Sequence, residues 1–294
     1  MACSVNGHAQ PRPEYDGLAT KFFRSVATTI RYWMQTEVHV YAFSIAANVL
    51  LSFFPFLIVC VTLSRIRFNY QTTVAAIDFA LRDYFPDVFS QFLHNNLPLL
   101  PQQRSPEVLS ILLLLITANG IFEPLEVALN RVWGIPTNRS FLRNQLVSLM
   151  LLFACGGLSL LSLWLTAINY ATLTGNPVEA LLAGFWLKFL AVPVVVLILL
   201  LVYRFLPNGK PPFKRLVPAA IVTGILLELL KYVARVLWPW FNLKLQREYG
   251  VFRNSATLIF MAFFAAMLVL AGAEWAARGH RFDQMPQAAK EGSD

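Results

Sequence analysis

The stretch Gly224–Trp240 reads G-I-L-L-E-L-L-K-Y-V-A-R-V-L-W-P-W. It is built mostly of Leu, Val, Ala and aromatic side chains, yet Glu228, Lys231 and Arg235 recur at intervals of three and four. That spacing sets all three on one face of a helix. In water the segment would be an ordinary amphipathic helix, so its meaning turns on whether water surrounds it. Composition decides against water. Of 294 residues, 57% are hydrophobic and 14% charged, and the mean hydropathy is +0.56. Soluble domains carry about 25% charged residues.

Apolar runs recur at Tyr41–Ser64, Val108–Phe122, Leu146–Asn169, Ala180–Tyr203, Leu216–Trp240 and Ser255–Ala277. A hydrocarbon core of about 30 Å needs roughly 17 to 25 helical residues. Five runs meet that length. Val108–Phe122 does so only if its helix continues past Glu123, Pro124 and Glu126 toward Asn130. The expected fold is all-α: a polytopic membrane protein with spans at about 40–64, 108–130, 146–170, 180–203, 216–240 and 255–277. The 18–283 stretch forms a single membrane domain. An interfacial helix over 18–36 carries Phe22, Phe23, Val26, Ile30 and Trp33 among basic residues. The loop 65–106, with helical apolar spacing at Thr72–Phe85 followed by prolines, reads as a small periplasmic cap. Residues 1–17 and 284–294 read as disordered tails.

Basic residues flanking the spans set the orientation. Fourteen fall on one side, including Lys21, Arg24, Arg31, Arg131, Arg204, Lys214, Arg215 and Arg278, against seven on the other. Both termini are therefore expected in the cytoplasm. Trp33, Trp133 and Trp275 fall at the inner interface and Trp186, Trp238 and Trp240 toward the outer one, as amphipathic rings prefer. Trp164 lies inside the third span and reads as packing. The net charge of +8 reads as a topology signal and an attraction to anionic lipid; no nucleic-acid partner is expected. The first forty residues lack the apolar core of a cleavable signal peptide. Cys60 and Cys155 lie inside spans and Cys3 in the tail, so no disulfide framework is implied.

Charged side chains at membrane depth persist where they pair or line a cavity. Glu228 lies about 18 Å from the inner end of its span and Lys188, in the antiparallel neighbour, about 22 Å, at 1.5 Å per residue. The expected arrangement is a Lys188–Glu228 pair between spans four and five, with Lys231 as surplus positive charge. Two readings stay open for this trio: a polar clasp that fixes helix packing, or a water-filled cavity used by a substrate. Arg235, near the outer end, reads as a snorkelling side chain. On the second span Asn119, Glu123, Glu126 and Asn130 lie within about 60° of arc. Asn119 and Glu123 are expected to face the bundle interior, Glu126 and Asn130 to face water on a cytoplasmic extension. Ser44, Asn48 and Ser52 form a row suited to interhelical hydrogen bonds. Glu274 could titrate or cap.

Pro55 and Pro193 interrupt spans one and four in loosely corresponding places, and nothing else supports an inverted repeat. No metal-ligand spacing links His8, His39, His94 and His280, and no phosphate loop, nucleophile elbow or dinucleotide fingerprint occurs. Neither an enzyme nor a metal or cofactor is expected.

The ordered set Ser52–Leu57 (S-F-F-P-F-L), Leu129–Gly134 (L-N-R-V-W-G), Tyr203–Asn208 (Y-R-F-L-P-N), Glu228–Lys231 (E-L-L-K), Tyr249–Gly250 and Gly272–Glu274 (G-A-E) resembles the YihY/virulence factor BrkB family over nearly the whole chain. The chain departs from that pattern at Arg253, where the family has small or apolar residues. The resemblance implies a bacterial inner-membrane protein of about six spans. Members have been linked to envelope lipid transport and to cation/proton exchange, and an older label calls them ribonuclease BN; these residues supply no machinery for cleaving RNA.

Three functions remain in view. One is movement of an anionic lipid or amphiphile, favoured by the excess of Lys188, Lys231 and Arg235 over Glu228. Another is cation/proton antiport. The third is a non-transporting scaffold or assembly factor, homodimeric in one form. The candidate site comprises Lys188, Glu228, Lys231, Asn119 and Glu123, with Asn48, Arg235 and Glu274 secondary; anionic membrane lipids are the expected partners.

Overall fold

In oil a backbone N–H or C=O finds no water, so a spanning segment closes its own hydrogen bonds by becoming a helix. The computed structural model follows that rule. It describes residues 18–64, 108–136, 140–172 and 192–291, with isolated positions 75, 77, 78 and 81. The described residues are helical apart from short connections and contain no strand. In order they form α1 (Leu18–Trp33), α2 (Thr36–Ser64), α3 (Val108–Trp133), α4 (Phe141–Thr172), α5 (Val192–Phe205), α6 (Phe213–Tyr249) and α7 (Arg253–Glu291). A single 3-10 turn, Gly250–Phe252, separates the last two.

Five of these, α2, α3, α4, α6 and α7, contain stretches long and apolar enough to cross a membrane, and α5 is a shorter apolar helix. The second apolar run does continue through Glu123, Pro124 and Glu126, and so becomes long enough to span. The fourth run is described only from Val192 onward; Lys188 and Trp186 lie outside the described residues. Most of the expected periplasmic cap also lies outside them. Within it, Ile77 is buried and Leu81 packs against Trp238 and Leu258.

One expectation is corrected at the C-terminal end. Residues 284–291, read from sequence as a disordered tail, continue α7 as helix to Glu291. Gln284, Gln287, Ala288, Ala289, Lys290 and Glu291 are good helix formers, set against one residue that disfavours helix, Pro286.

α2 packs chiefly against α3 and α7, and α6 against α7. The core between them is closed by Leu129, Tyr203, Leu206, Leu216 and Leu270, all fully buried. Tyr203 is its polar knot. Its hydroxyl donates to the carbonyl of Val269 on α7 at 2.7 Å and lies 3.3 Å from Thr223 Oγ1 on α6. Three helices thus meet at one phenol, and Gly272 lets them come this close: a Cβ there would stand 1.9 Å from Thr223 Oγ1 and 2.8 Å from the Tyr203 hydroxyl. Gly120 does the same between α2 and α3, where a Cβ would meet Asn48 Oδ1 at 2.1 Å. Small residues at helix contacts are how membrane bundles gain close packing when no hydrophobic drive favours helix over lipid. Asn48 Nδ2 also donates to the Ser44 carbonyl at 2.9 Å. That bond, like Ser52 Oγ donating to the Val49 carbonyl at 3.1 Å, lies within α2 where the row was expected to bond between helices, and Asn48 meets α3 through its packing on Gly120. Trp164 is a packing residue as expected, its Nε1 donating to Ser64 Oγ at 3.1 Å across α4 and α2.

α1 is fastened to α7. Trp33 Nε1 donates to the Met267 carbonyl at 3.1 Å, and Arg278 Nη2 donates to Thr29 Oγ1 at 3.0 Å. The N-terminal helix and the Met267–Arg278 part of the C-terminal helix therefore lie together at one end of the bundle.

Replacing Gly272 by Ala forces Thr223 or Tyr203 to shift, and overpacking of this kind costs about 1–3 kcal/mol. Thermal denaturation in detergent should show a lower Tm for Gly272→Ala. Gly157→Ala, where nothing stands within 4 Å of the new methyl, should leave the Tm at the wild-type value.

Candidate functional site

α6 contains 37 residues, about 55 Å of helix at 1.5 Å per residue and longer than a bilayer is thick. The basic residues Arg215 and Lys244 bracket its apolar part. Glu228 stands thirteen residues after Arg215, and Lys231 thirteen before Lys244. Each is about 20 Å from its bracket, so the two share the middle of the span. They meet there: Lys231 Nζ lies 2.6 Å from Glu228 Oε2, with side chains 12% and 22% exposed.

Lys231 is therefore paired where the sequence reading left it surplus, while Lys188, the partner expected for Glu228, lies outside the described residues. Residues three apart on one helix are already neighbours, so the bond forms without the interhelical geometry that a Lys188 partner would need. The pair borders a crevice of about 190 Å³ walled by Val195 of α5, Leu227 and Leu230 of α6, and Met261 and Ala265 of α7. All five wall residues are apolar. The arrangement is an ion pair at mid-membrane beside an oily cleft.

The face carrying the pair has a direction. Taking Glu228 as origin at 100° per residue, Glu228, Lys231, Arg235, Asn242 and Gln246 fall within about 60° of arc. Asn242 Oδ1 is buried and has no hydrogen-bond partner among the described residues. Arg235 is exposed, with its guanidinium 5.9 Å from the Tyr232 ring centre. In the opposite direction the same sector holds Val217 and Gly224, with Ile221 about 20° outside it. Gly224 is buried against α5, where a Cβ would meet Val196 Cγ2 at 3.0 Å. One half of the stripe is polar, the other apolar, with Gly224 buried and Ile221 exposed.

On α3 the structure reverses the sequence assignment. Glu126 and Asn130, expected in water, are buried at 3% and 2% exposure, while Glu123, expected inside, is exposed. The buried face of α3 is set by Phe122, Leu125, Leu129 and Val132, and Glu126 and Asn130 fall on it. Asn130 Oδ1 accepts the Asn208 N–H at 2.7 Å, and its Nδ2 lies 3.5 Å from Glu126 Oε1. The turn after α5 is held further by Arg204 Nη1 donating to the Pro211 carbonyl at 2.7 Å. Two quoted motifs, L-N-R-V-W-G and Y-R-F-L-P-N, therefore bind each other. The burial had no local signal, because a row of polar residues on a helix looks the same facing water or a polar loop. Asn119 is partly buried, with its Oδ1 lacking a partner among the described residues. Asn48 serves the α2–α3 contact. Glu274 is an ion-pair member: Arg278 Nε donates to its Oε1 at 3.0 Å, and the Arg278–Glu274 bridge shares the end of the bundle with Glu37–Arg131. Among the described residues no three His, Cys, Asp or Glu side chains group as a metal site.

These features define a class: an all-helical, multi-pass membrane protein with paired charges inside its bundle. The model of the family described as Virulence factor BrkB matches residues 29–293, and the chain belongs to that family. A UPF0761 membrane protein of Chromobacterium violaceum is 31% identical over 172 residues, 55% of this chain and 39% of that relative. One from Chlorobium luteolum is 26% identical over 93% of this chain and 64% of its own length, and one from Pseudoalteromonas translucida 24% identical over 83% and 84%. The chain thus spans less than two thirds of the first two relatives. No solved structure matches.

Removing one member of the mid-membrane pair leaves the other uncompensated, which costs more than removing both. Lys231→Met and Glu228→Gln should each lower stability by about 3 kcal/mol. The double variant should recover most of that loss, read as Tm in a double-mutant cycle.

Proposed function

We propose that the chain moves an anionic amphiphile across the bacterial inner membrane, with both of its own termini in the cytoplasm. The observation that carries this reading is the Glu228–Lys231 pair beside an apolar crevice at mid-span. An amphiphile needs both surfaces at once: a cation for its headgroup and an oily wall for its chain. An arriving anion exchanges with the Glu228 carboxylate on the Lys231 ammonium, so no bare charge stands in oil. Arg235, one turn further along the same face, takes the anion next. Lys188, which the sequence sets at nearly the same depth, supplies a further cation in this proposal. Three cations against one carboxylate favour an anion over a metal cation. A Glu228 engaged by Lys231 is poorly suited to alternate between proton and cation, which weighs against antiport.

Reconstitution in proteoliposomes with fluorescent anionic phospholipid tests the reading. The wild type should move label between leaflets, Lys231→Leu should slow this at least tenfold at equal protein level, and Lys231→Arg should retain most of it. Equal rates for wild type and Lys231→Leu, or cation-driven proton flux that Glu228→Gln abolishes, would replace the proposal.

The one-sided stripe makes a second check possible in a variant lacking Cys3, Cys60 and Cys155. Asn242→Cys and Gln246→Cys should react with a membrane-impermeant thiol reagent added outside, while Val217→Cys and Ile221→Cys should not.

A further inference from the structure

At the end of the bundle where α1 meets α7 lies a second cavity, of about 240 Å³, bounded by α1, α2, α3 and α7. Its lining includes Arg31 and Tyr32 from α1, Glu37 from α2, Arg131 from α3, and Glu274 and Arg278 from α7. Three guanidiniums face two carboxylates, leaving one positive charge in excess. Two of the three arginines are held in place from behind. Arg131 is bound by Glu37 and by the Tyr41 hydroxyl, and Arg278 by Glu274 and by Thr29 Oγ1. A guanidinium carries five N–H donors in a planar fork, and that fork matches the oxygens of phosphate.

The mouth and floor differ. Arg131 and Glu37 have side chains 61% and 50% exposed, whereas those of Arg278 and Glu274 are only 15% and 16% exposed. An anion entering past Arg131 therefore reaches a drier region, where charge attracts charge more strongly. Tyr32 at this depth stays a neutral O–H donor, because burial and the nearby Glu274 charge both push its proton affinity up. Trp33, whose ring nitrogen binds α7, and the exposed Trp275 occupy the same end. Indole rings favour the headgroup level of a bilayer, which is where this cavity would open.

We propose that this cavity is a binding site for a phosphate group, presented by the headgroup of a phospholipid in the adjacent leaflet and gripped by Arg31, Arg131 and Arg278. Occupancy would bridge four helices and fasten α1 to the bundle. The site is separate from the Glu228–Lys231 crevice, and binding to it is read without turnover, so it stands whether or not the chain transports.

The test uses the full chain in detergent. Lipid retention is followed by native mass spectrometry, and Tm is followed on addition of phosphatidylglycerol, diacylglycerol or inorganic phosphate. Phosphatidylglycerol should be retained and raise Tm, with diacylglycerol inert. Arg31→Gln and Arg131→Lys should each weaken retention at least fivefold, the second because it keeps the charge and loses the fork. Inorganic phosphate raising Tm with the same dependence on both variants, where phosphatidylglycerol does not, would keep the phosphate site and assign its ligand to solution. Equal retention of diacylglycerol, or unchanged binding in both variants, would overturn the proposal.

Discussion

Inside a bilayer every polar group must find its partner within the protein, and this constraint organises the chain at each level. It makes the spanning segments helices. It also governs the side chains that break the apolar pattern. Tyr203 donates to a backbone carbonyl of α7, and Asn130 takes up a backbone N–H from the turn after α5. Glu228 and Lys231 neutralise each other. Each of these contacts exists because the alternative is a bare dipole or charge in hydrocarbon, which costs several kcal/mol.

The same constraint separates two uses of polarity. At Tyr203 and Asn130 the partners are on different elements, the neighbourhood is fully buried, and glycines allow close approach. These contacts tie α3, α5, α6 and α7 into one body. At Glu228 and Lys231 the partners are on one helix. The pair stands instead beside a crevice. That difference is why the mid-membrane pair, and not the more deeply buried Asn130 or Tyr203, is the better candidate for work.

The charged cluster where α1 meets α7 follows a third logic. There the ion pairs reach from the half-exposed Glu37 and Arg131 to the largely buried Glu274 and Arg278. Exposed pairs contribute little to stability by themselves, yet they hold guanidiniums in fixed positions around a cavity. A membrane protein can thus keep charge at its rim for recognition while keeping it scarce in its interior.

Much of the architecture was legible in the residues alone. The apolar run lengths predicted all-helical spans, the short second run demanded continuation past Glu123, and the motif set carried the family. These are properties of composition and length along the chain, and solvent oil enforces them whatever the packing. The facing of individual polar residues was not legible. Glu123 and Glu126 sit only about 60° apart on the helical wheel, so which one is buried depended on where Phe122, Leu125 and Leu129 found their neighbours. The choice of Lys231 as partner for Glu228 likewise depended on side-chain reach, and no count of depth along two helices could supply that. The sequence by itself determined that charge inside the membrane must be compensated. The tertiary structure alone decided by which partner and against which wall, because those answers lie in distances between residues that the chain brings together only when it folds.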